Sequence, residues 1–331
     1  MTERTEQPKM KAITLVESDN PKRPDLVWDD VERPRLAEGE VLVEVKAAGV
    51  NRADLAQRAG AYPPPEGASE ILGLEIAGVV ADPGDTDYSV GDEVCALLAG
   101  GGYAEYAAVP AGQLLPIPEG WSFAEAASIV EVATTVWSNI VMTAHLQQGQ
   151  TLLVHGGGGG IGTFAIQLGK ALGCTVAGTA GSAEKVELMQ KLGADVAINY
   201  KEQDFAEVMR NSCDVILDVV GGSYLDSNVK ALAMDGTVTI IGLIGGPKGE
   251  LNVGRLLSKR GTLAATTLRN RSIEDKAEIV RQTREGVWPL LNSGKISHHI
   301  STVLPIAEAN EAHRIMAKGE MTGKIILEIS Q

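Results

Sequence analysis

The stretch Thr151–Gly173, TLLVHGGGGGIGTFAIQLGKALG, places five consecutive glycines between an apolar run and a segment with helical periodicity. Glycine is costly inside regular structure, so a run of it indicates a place where backbone must come close to something. The apolar run Thr151–Val154 predicts a strand. After the glycines, apolar residues recur at helical spacing at Ile161, Ala165, Leu168 and Leu172. The stretch therefore predicts a strand, a glycine turn and a helix in immediate succession.

Three of these glycines, Gly157, Gly159 and Gly162, have the spacing G-x-G-x-x-G. In that motif the first glycine permits a tight turn, the second lets backbone approach a pyrophosphate, and the third lets the helix pack on the strand. The N-terminus of the helix adds unpaired N–H donors and a positive dipole end. A lone match also occurs in loops that are only flexible, but here strand, turn and helix follow in the required order. We therefore predict a dinucleotide site in which the pyrophosphate is bound at Gly157, Gly159 and Gly162.

The end of the second predicted strand decides between the two nicotinamide dinucleotides. An NAD site usually has Asp or Glu about twenty residues after the glycines, where it binds the ribose hydroxyls. Thr175–Lys185 reads TVAGTAGSAEK and has no acid before Glu184. This small neutral turn leaves room for a 2′-phosphate, and we predict that NADPH is bound there by Ser182, Lys185 and Tyr200. Glu184 beside Lys185 counts against this choice, and a solvated helix lysine is the alternative.

The pattern of the chain changes near residue 130. Before it, short apolar runs separated by Pro and Gly predict a mostly β region. From about Glu131, six candidate strands follow, the first of them with helices between: Thr151–Val154, Thr175–Gly178, Val196–Asn199, Asp214–Val219, Thr237–Gly242 and Gly261–Thr266. This alternation predicts an α/β fold with a doubly wound parallel sheet. We expect a dinucleotide-binding domain of residues 131–270 and a second domain of residues 1–130 and 271–331.

Composition excludes several classes of function. The chain has 331 residues, a formal net charge of −14 and a pI near 4.9, which argue against nucleic acid as a partner because phosphate backbones require a basic surface. No run of eighteen apolar residues occurs, and the N-terminal MTERTEQPKMK reads as a polar leader before Lys11 rather than a secretory signal. Three widely spaced cysteines suit a reducing compartment. We expect a cytoplasmic protein.

Further segments make the chain resemble a known family. They are AAGVNRADLAQRAGAYPPP, ILGLEIAGVV, GGYAEYAAVP, INYKEQDF, DVILDVVGGSY, GLIGG, TLRNR and GKIILE, together with the glycine turn and TAGSAEK. From about Lys11 to the C-terminus the chain is similar to medium-chain dehydrogenase/reductases. It most resembles the zeta-crystallin-like NADPH:quinone oxidoreductases, in the branch of the tumour-suppressor-inducible quinone oxidoreductase. The resemblance implies a Rossmann domain for residues 131–270 and a GroES-like catalytic domain for the rest.

The chain departs from the zinc enzymes of that superfamily. Zinc alcohol dehydrogenases have a cysteine ligand after an AxGVC-like turn and a histidine ligand in GHE, where this chain has Asn51 and Leu74. Leucine has no donor atom and asparagine is a poor zinc ligand. We therefore expect no metal. Without a Lewis acid the acceptor must already be electrophilic, as a quinone or a conjugated enone is.

The resemblance also implies roles for particular residues. It extends the pyrophosphate contact to Gly160 and Ile161, and it adds Gly181 to the residues expected at the 2′-phosphate. Asn51, Tyr62 and Thr135 are expected near the nicotinamide and the substrate, in a cleft between the domains. The nicotinamide half of the cofactor is expected to be bordered by Gly242, Leu243, Ile244, Gly245, Leu268 and Arg269. Structural roles are the alternative for the first three, as a turn cap, a packed aromatic and a partner for helix backbone. Asp54 and Arg58, four residues apart on a predicted helix, are expected to pair.

The predicted reaction is reduction of a quinone-like acceptor by NADPH, with two-electron and one-electron transfer both open. One alternative is an NADPH-dependent enone or 2-enoyl reductase, and another is a non-catalytic NADPH-binding protein. Members of the family pair through the cofactor domain. The apolar edge strand Gly261–Thr266 is suited to extending a sheet across a two-fold axis, so we expect a homodimer.

Overall fold

The computed structural model describes residues 8–20 and 23–329, which form two compact units. The first comprises the described residues up to Glu131, Arg269–Arg284 and those from Ile300 onward, and the second comprises Val132–Leu268 and Glu285–His299. Residues 1–7 of the predicted leader lie outside the described part of the chain.

The segment Glu285–His299 packs with the second unit, although it had been assigned to the other domain from the sequence. Two contacts account for this. Gly286 lies against Trp137, where an added Cβ would be 2.5 Å from the indole Cζ2 atom. The side chain of Gln167 exchanges hydrogen bonds with the backbone of Ser297, each 3.0 Å long. A glycine contact and a side-chain amide thus bind this segment to the second unit.

The first unit is mostly β. Strands β1 (Lys9–Val16) and β2 (Asp25–Glu32) form an antiparallel pair. The larger sheet contains β3 (Glu40–Val50), β4 (Glu75–Asp82), β5 (Glu93–Leu97), β6 (Tyr106–Pro110), β7 (Leu114–Pro116), β14 (Ile300–Pro305) and β15 (Lys324–Glu328). Its order is β14-β15-β3-β4-β5-β7, with β6 also paired to β3. Val41, Val43 and Val45 of β3 are buried in the core of this unit. Helices α1 (Arg52–Arg58), α2 (Phe123–Ala126) and α10 (Ala309–Lys318) complete the unit.

The second unit contains the predicted parallel sheet. Its strands are β8 (Thr151–His155), β9 (Thr175–Ala180), β10 (Val196–Asn199), β11 (Cys213–Asp218), β12 (Leu232–Ile240) and β13 (Thr262–Ala265). Their order is β10-β9-β8-β11-β12-β13, and each neighbouring pair is parallel. The predicted α/β doubly wound fold with a mostly β partner is therefore confirmed. Strand β12 begins at Leu232, five residues before the predicted start, because a bulge after Cys213 lets Leu232 pair with β11.

Helices connect these strands and lead into and out of the unit. They are α4 (Gly160–Ala171), α5 (Ala183–Lys191), α6 (Phe205–Val208), α7 (Leu225–Ala231) and α8 (Val253–Ser258). Helix α3 (Val130–Val136), continued by a π-helical segment Trp137–Thr143, and α9 (Ile273–Asn292) contribute residues to both units. Among the described residues, no helix combines the length and the apolar character needed to cross a membrane.

The strand order fixes where a ligand of this unit is expected. The chain runs outward from β8 through β9 to β10 and then returns to place β11 on the other side of β8. In open parallel sheets, ligands bind outside the carboxyl ends of the strands at such a reversal. The glycine turn follows β8 and the turn Val219–Gly222 follows β11, so both lie at this position.

Candidate active site

The glycine turn joins β8 to α4. Gly156 has φ +70°, in the left-handed region that favours glycine. The N–H of Gly157 donates to the carbonyl of Thr179 in β9 at 2.9 Å. A Cβ on Gly162 would lie 2.5 Å from the Cα of Gly157, so the start of the helix packs directly on the turn. At Gly159, the N-cap of α4, an added Cβ would have its nearest neighbour 3.5 Å away. The turn is therefore closed on its inner side and open at Gly159, as backbone contact with a pyrophosphate requires.

The four residues predicted to bind the 2′-phosphate lie beside this turn. The stem of Lys185 packs against Gly158, with its Cγ 2.8 Å from the position of an added Cβ. The ring of Tyr200 covers Gly181 in the same way, with its Cζ at 2.6 Å. Ser182 caps α5 and its Oγ accepts from the N–H of Lys185 at 3.4 Å. The structure thus brings these residues together, and their contact with a cofactor stays a prediction.

Glu184 does not oppose this arrangement strongly. Its side chain is exposed and lies in the first turn of α5. A carboxylate there interacts favourably with the positive end of the helix dipole. Its presence therefore has a structural explanation that is independent of any cofactor.

A network of buried, hydrogen-bonded polar side chains supports the same edge of the sheet. It was not predicted from the sequence. Asn228 donates from Nδ2 to Asp218 at 2.9 Å, and its Oδ1 lies 2.8 Å from Nε2 of His155. The Nδ1 atom of His155 lies 3.0 Å from the hydroxyl of Thr179. Because the Asn228 oxygen can only accept, Nε2 carries the proton, and burial lowers the pKa of His155 so that the ring stays neutral. Asp218 also accepts from the N–H groups of Val220 and Gly221, which fixes the turn after β11.

This network of hydrogen-bonded side chains has a recognisable origin in the sequence. His155, Thr179 and Asp218 each lie at or next to the last residue of a strand in the parallel sheet. Polar residues at these ends converge at one edge because the strands are parallel. The strand assignments therefore contained the signal, although Asn228 on α7 did not follow from it.

The loop after β12 contains the residues predicted to border the nicotinamide. The N–H of Gly245 donates to the carbonyl of Val220 at 2.7 Å, which holds this loop next to the turn after β11. Leu243 and Ile244 are 58% and 61% exposed. Exposed apolar side chains at the carboxyl edge of the sheet suit contact with a ligand, and that contact stays a prediction. Leu268 is half-buried at the end of this unit.

Thr135 is buried in α3, and its carbonyl is bound by the π-helical segment that follows. Asn139 donates from Nδ2 to this carbonyl at 2.8 Å, and the hydroxyl of Ser138 donates to it at 3.1 Å. The Oδ1 atom of Asn139 accepts from the hydroxyl of Thr266 at 2.6 Å. Asn139 therefore connects Thr135 to the chain just after β13, close in sequence to Leu268. Neither Asn139 nor Thr266 was predicted.

In the first unit, Asn51 belongs to a closed triangle of buried polar groups. The ammonium of Lys324 donates to Oδ1 of Asn51 at 2.6 Å and to Oε1 of Glu75 at 2.5 Å. Asn51 donates from Nδ2 to the same Glu75 oxygen at 3.0 Å. The other oxygen of Glu75 accepts from the N–H of Glu131 at 2.9 Å. The orientation of the Asn51 amide is therefore set by two charged groups that sequence reasoning missed.

Asp54 lies one turn into α1 and is completely buried. It accepts from the N–H of Asn51 at 2.7 Å, from the N–H of Gly73 at 3.2 Å and from the hydroxyl of Tyr103 at 3.1 Å. Burial raises the pKa of Asp54 to about 6, against the opposing effect of these hydrogen bonds. Its expected pairing with Arg58 is wrong. Arg58 donates instead to the carbonyl of Pro24, at 2.8 Å, and to the side chain of Asn310.

Tyr62 is half-buried in the loop after α1, and Arg269 holds that loop. The guanidinium of Arg269 donates to the carbonyl of Tyr62 at 3.0 Å, to that of Ala99 at 2.7 Å and to Oε1 of Gln57 at 2.8 Å. It also lies 5.3 Å from the centre of the Tyr62 ring. Burial raises the pKa of Tyr62, so its phenol stays protonated and able to donate. The Arg269 side chain is thus engaged within the first unit, and its predicted contact with the cofactor remains a prediction.

A zinc centre does not fit the residues at the expected positions. Leu74 is buried and offers no donor atom. The amide oxygen of Asn51 already accepts from the Lys324 ammonium. Within residues 8–20 and 23–329, no group of three or more His, Cys, Asp or Glu side chains is arranged to hold a metal ion.

Two known protein families match the chain, one in each half of the sequence. Residues 37–119 match the alcohol dehydrogenase GroES-like domain, and residues 160–284 match the zinc-binding dehydrogenase family. A mycobacterial structure, Rv1454c complexed with NADPH, superposes with a TM-score of 0.83 at 29% identity, covering 96% of this chain and 99% of that one.

Curated relatives include several enzymes. The quinone oxidoreductase of Pseudomonas aeruginosa is 33% identical over 311 residues, which are 91% of this chain and 95% of that protein. The 2-haloacrylate reductase of a Burkholderia species is 30% identical over 92% of this chain and 95% of its own length. The phthioceranic/hydroxyphthioceranic acid synthase of Mycobacterium tuberculosis is 32% identical over 88% of this chain, which spans only 14% of that longer protein. The chain belongs to the medium-chain dehydrogenase/reductase superfamily of oxidoreductases, with quinone oxidoreductases among its relatives at about 30% identity.

Proposed function

We propose that the protein is an NADPH-dependent quinone reductase that works without zinc. The observation that carries the proposal is the group formed by Gly181, Ser182, Lys185 and Tyr200 beside the glycine turn, at the end of a strand with no carboxylate. Such a group offers an ammonium and hydroxyls to a 2′-phosphate. The relatives named quinone oxidoreductase and the NADPH complex of a mycobacterial relative support the same choice.

The residues of the second unit fit a dinucleotide. The open backbone at Gly159 and the N-terminus of α4 would bind the pyrophosphate. The hydrogen bonds that join His155, Asn228 and Asp218 would keep the neighbouring strand ends in place. Bound NADPH supplies the reducing equivalents, and the protein supplies binding and orientation.

The first unit offers groups for the acceptor. The Tyr62 phenol would donate a hydrogen bond to an acceptor oxygen on which negative charge develops. Asn51 has its amide fixed by Lys324 and Glu75, so it would hold its position without reorganisation during the reaction. Because the residues do not fit zinc, the acceptor must be electrophilic by itself, and a quinone meets that condition.

A second candidate is reduction of a conjugated double bond. The Burkholderia relative is a 2-haloacrylate reductase, and a haloacrylate has a carbon–carbon double bond conjugated to a carboxyl group. An enone or a 2-enoyl thioester shares that electronic arrangement. The same cofactor site would serve this reaction, so the acceptor distinguishes the two candidates.

Parallel measurement of NADPH oxidation with quinones, enones and enoyl thioesters tests the proposal. We expect turnover with quinones to exceed that with the other two classes. Higher kcat/KM for an enone or an enoyl thioester would favour the second candidate. Binding of NADPH without turnover of any acceptor would contradict both and indicate a non-catalytic NADPH-binding protein.

A further inference from the structure

A cavity of about 410 Å³ lies in the first unit beside α1 and α10. Its wall contains three guanidinium groups, from Arg23, Arg58 and Arg314, one carboxylate, from Asp25, and the side chains of Asn310 and His313. None of these residues has a predicted role in binding the cofactor or the acceptor. In a chain with a net charge of −14, a concave surface with three guanidinium groups requires an explanation.

The guanidinium groups of this cavity are incompletely neutralised. Arg314 pairs with Glu311. Arg58 is half-buried and donates to two neutral acceptors, a carbonyl and an amide oxygen. Among the described residues, neither Arg58 nor Arg23 has a carboxylate within ion-pair distance. Burial lowers the pKa of Arg58, and so does the charge of Arg23, whereas the charge of Asp25 raises it.

His313 closes the inner side of the cavity. It is 2% exposed, and its Nδ1 atom is buried without a hydrogen-bond partner in the described part of the chain. Its Nε2 atom lies 3.4 Å from the hydroxyl of Tyr103, which donates to Asp54. A proton on Nε2 therefore suits the Tyr103 oxygen and leaves Nδ1 as an unsatisfied acceptor. Because this Nδ1 atom is itself buried, it is closed to a molecule in the cavity, and the case for a ligand rests on the arginine side chains.

We propose that this cavity is an anion site for the phosphate or carboxylate group of a small molecule, bound chiefly by Arg58 and Arg23. Arginine is suited to this because its planar fork of donors matches the paired oxygens of both groups. The ligand would contact α1, which begins directly after Asn51 and ends four residues before Tyr62. The proposal does not depend on which acceptor the enzyme reduces.

The test is the melting temperature of the full chain without cofactor, measured in increasing sodium phosphate and, separately, sodium malonate. Sodium chloride keeps the ionic strength constant, so that general screening does not change. We expect a saturable rise in Tm, because a ligand that binds only the folded state stabilises it. In Arg58→Gln and in Arg23→Gln, we expect the half-saturating concentration to rise about tenfold or more, as loss of a charge-assisted hydrogen bond predicts. A response to phosphate alone or to malonate alone identifies which group the site takes.

The matched control is Lys185→Glu, because phosphate can also bind at the predicted cofactor site. If the anion binds beside α1, this variant should keep a saturable rise in Tm that is sensitive to Arg58→Gln and Arg23→Gln. Loss of the response in Lys185→Glu and its retention in both arginine variants would overturn the proposal. So would the absence of a saturable response to either anion. Arg23 is exposed, so its variant tests the proposal even if Arg58→Gln, which loses two hydrogen bonds, does not fold.

Discussion

Replacement of Lys185 by Glu is the sharpest test of the 2′-phosphate site, because the structure predicts a loss of cofactor binding without a loss of folding. Ser182 caps α5, and Lys185 is the third residue of the helix. A glutamate at that position completes the S-x-x-E capping box, in which its side chain accepts from the N–H of the capping serine. It also interacts favourably with the helix dipole. The variant should therefore be at least as stable as the wild type.

The expected change in affinity follows from the environment of the lysine. Its side chain is half-buried and its stem is packed against Gly158, so the ammonium is held near the glycine turn at little entropic cost. A charge-assisted hydrogen bond of this kind contributes about 1–3 kcal/mol, with the lower part of the range appropriate to partial exposure. Loss of the contact corresponds to a weakening of roughly 5- to 150-fold in the Kd for NADPH. NADH has no 2′-phosphate, and its Kd should change little.

Fluorescence titration of NADPH and NADH against wild type and variant measures this difference. The matched control is Lys191→Glu, which makes the same change of charge at the other end of α5, where Lys191 is exposed and pairs with Glu187. It should leave both affinities unchanged. Equal weakening of NADPH and NADH in Lys185→Glu would refute the reasoning and make this lysine a structural residue.

Four further outcomes are expected. Gly159→Ala should fold normally, since an added Cβ would lie 3.5 Å from its nearest neighbour, but it should weaken the binding of NADPH and NADH together. Gly162→Ala, the control, should lower Tm, because its Cβ would lie 2.5 Å from the Cα of Gly157 in the turn. Normal affinity in Gly159→Ala would contradict a pyrophosphate at that backbone. Activity should survive exhaustive chelation, and stoichiometric zinc lost together with activity would show that a metal is required. Because the folded-state pKa of Asp54 is raised from 3.8 to about 6, its protonated form is favoured by folding. The free energy of unfolding of the wild type relative to Asp54→Asn should therefore fall by up to about 3 kcal/mol as pH rises from about 4 to 6. Above pH 6 the difference should stay constant. Urea titrations that show no such pH dependence would count against a buried carboxyl. Finally, β13 forms an edge of the six-stranded sheet, and light scattering at micromolar concentration should give twice 34.8 kDa, whereas a monomer mass would exclude the proposed homodimer.

The parallel sheet was predictable because its signals are local. Each buried strand is a short apolar run, and the glycine turn marks the first strand–helix junction without ambiguity. The proximity of Ser182 and Lys185 to the glycine turn was also predictable in outline, because both follow the end of β9, and their contact with a 2′-phosphate stays a prediction. The structure adds that Tyr200 covers Gly181, a contact between neighbouring strands that single-sequence periodicity does not contain.

The polar network of the first unit was not predictable for the opposite reason. Lys324, Glu75 and Asn51 lie in three remote segments, and each reads locally as an ordinary strand or turn residue. The helical spacing of Asp54 and Arg58 suggested an ion pair, but Asp54 turns inward to backbone N–H groups while Arg58 reaches Asn310. The partners of Asp54 and Arg58 are thus set by tertiary contacts and not by their helical spacing.

We propose that the enzyme recognises NADPH by its 2′-phosphate and that the dihydronicotinamide of the bound cofactor reduces a quinone. The most direct test is the ratio of kcat/KM for NADPH to that for NADH, measured with wild-type enzyme and a single quinone. We expect a ratio well above ten. One charge-assisted contact of about 1.4 kcal/mol already gives a factor of ten, and the proposed site offers more than one such group. A ratio near one, or a preference for NADH, would contradict it.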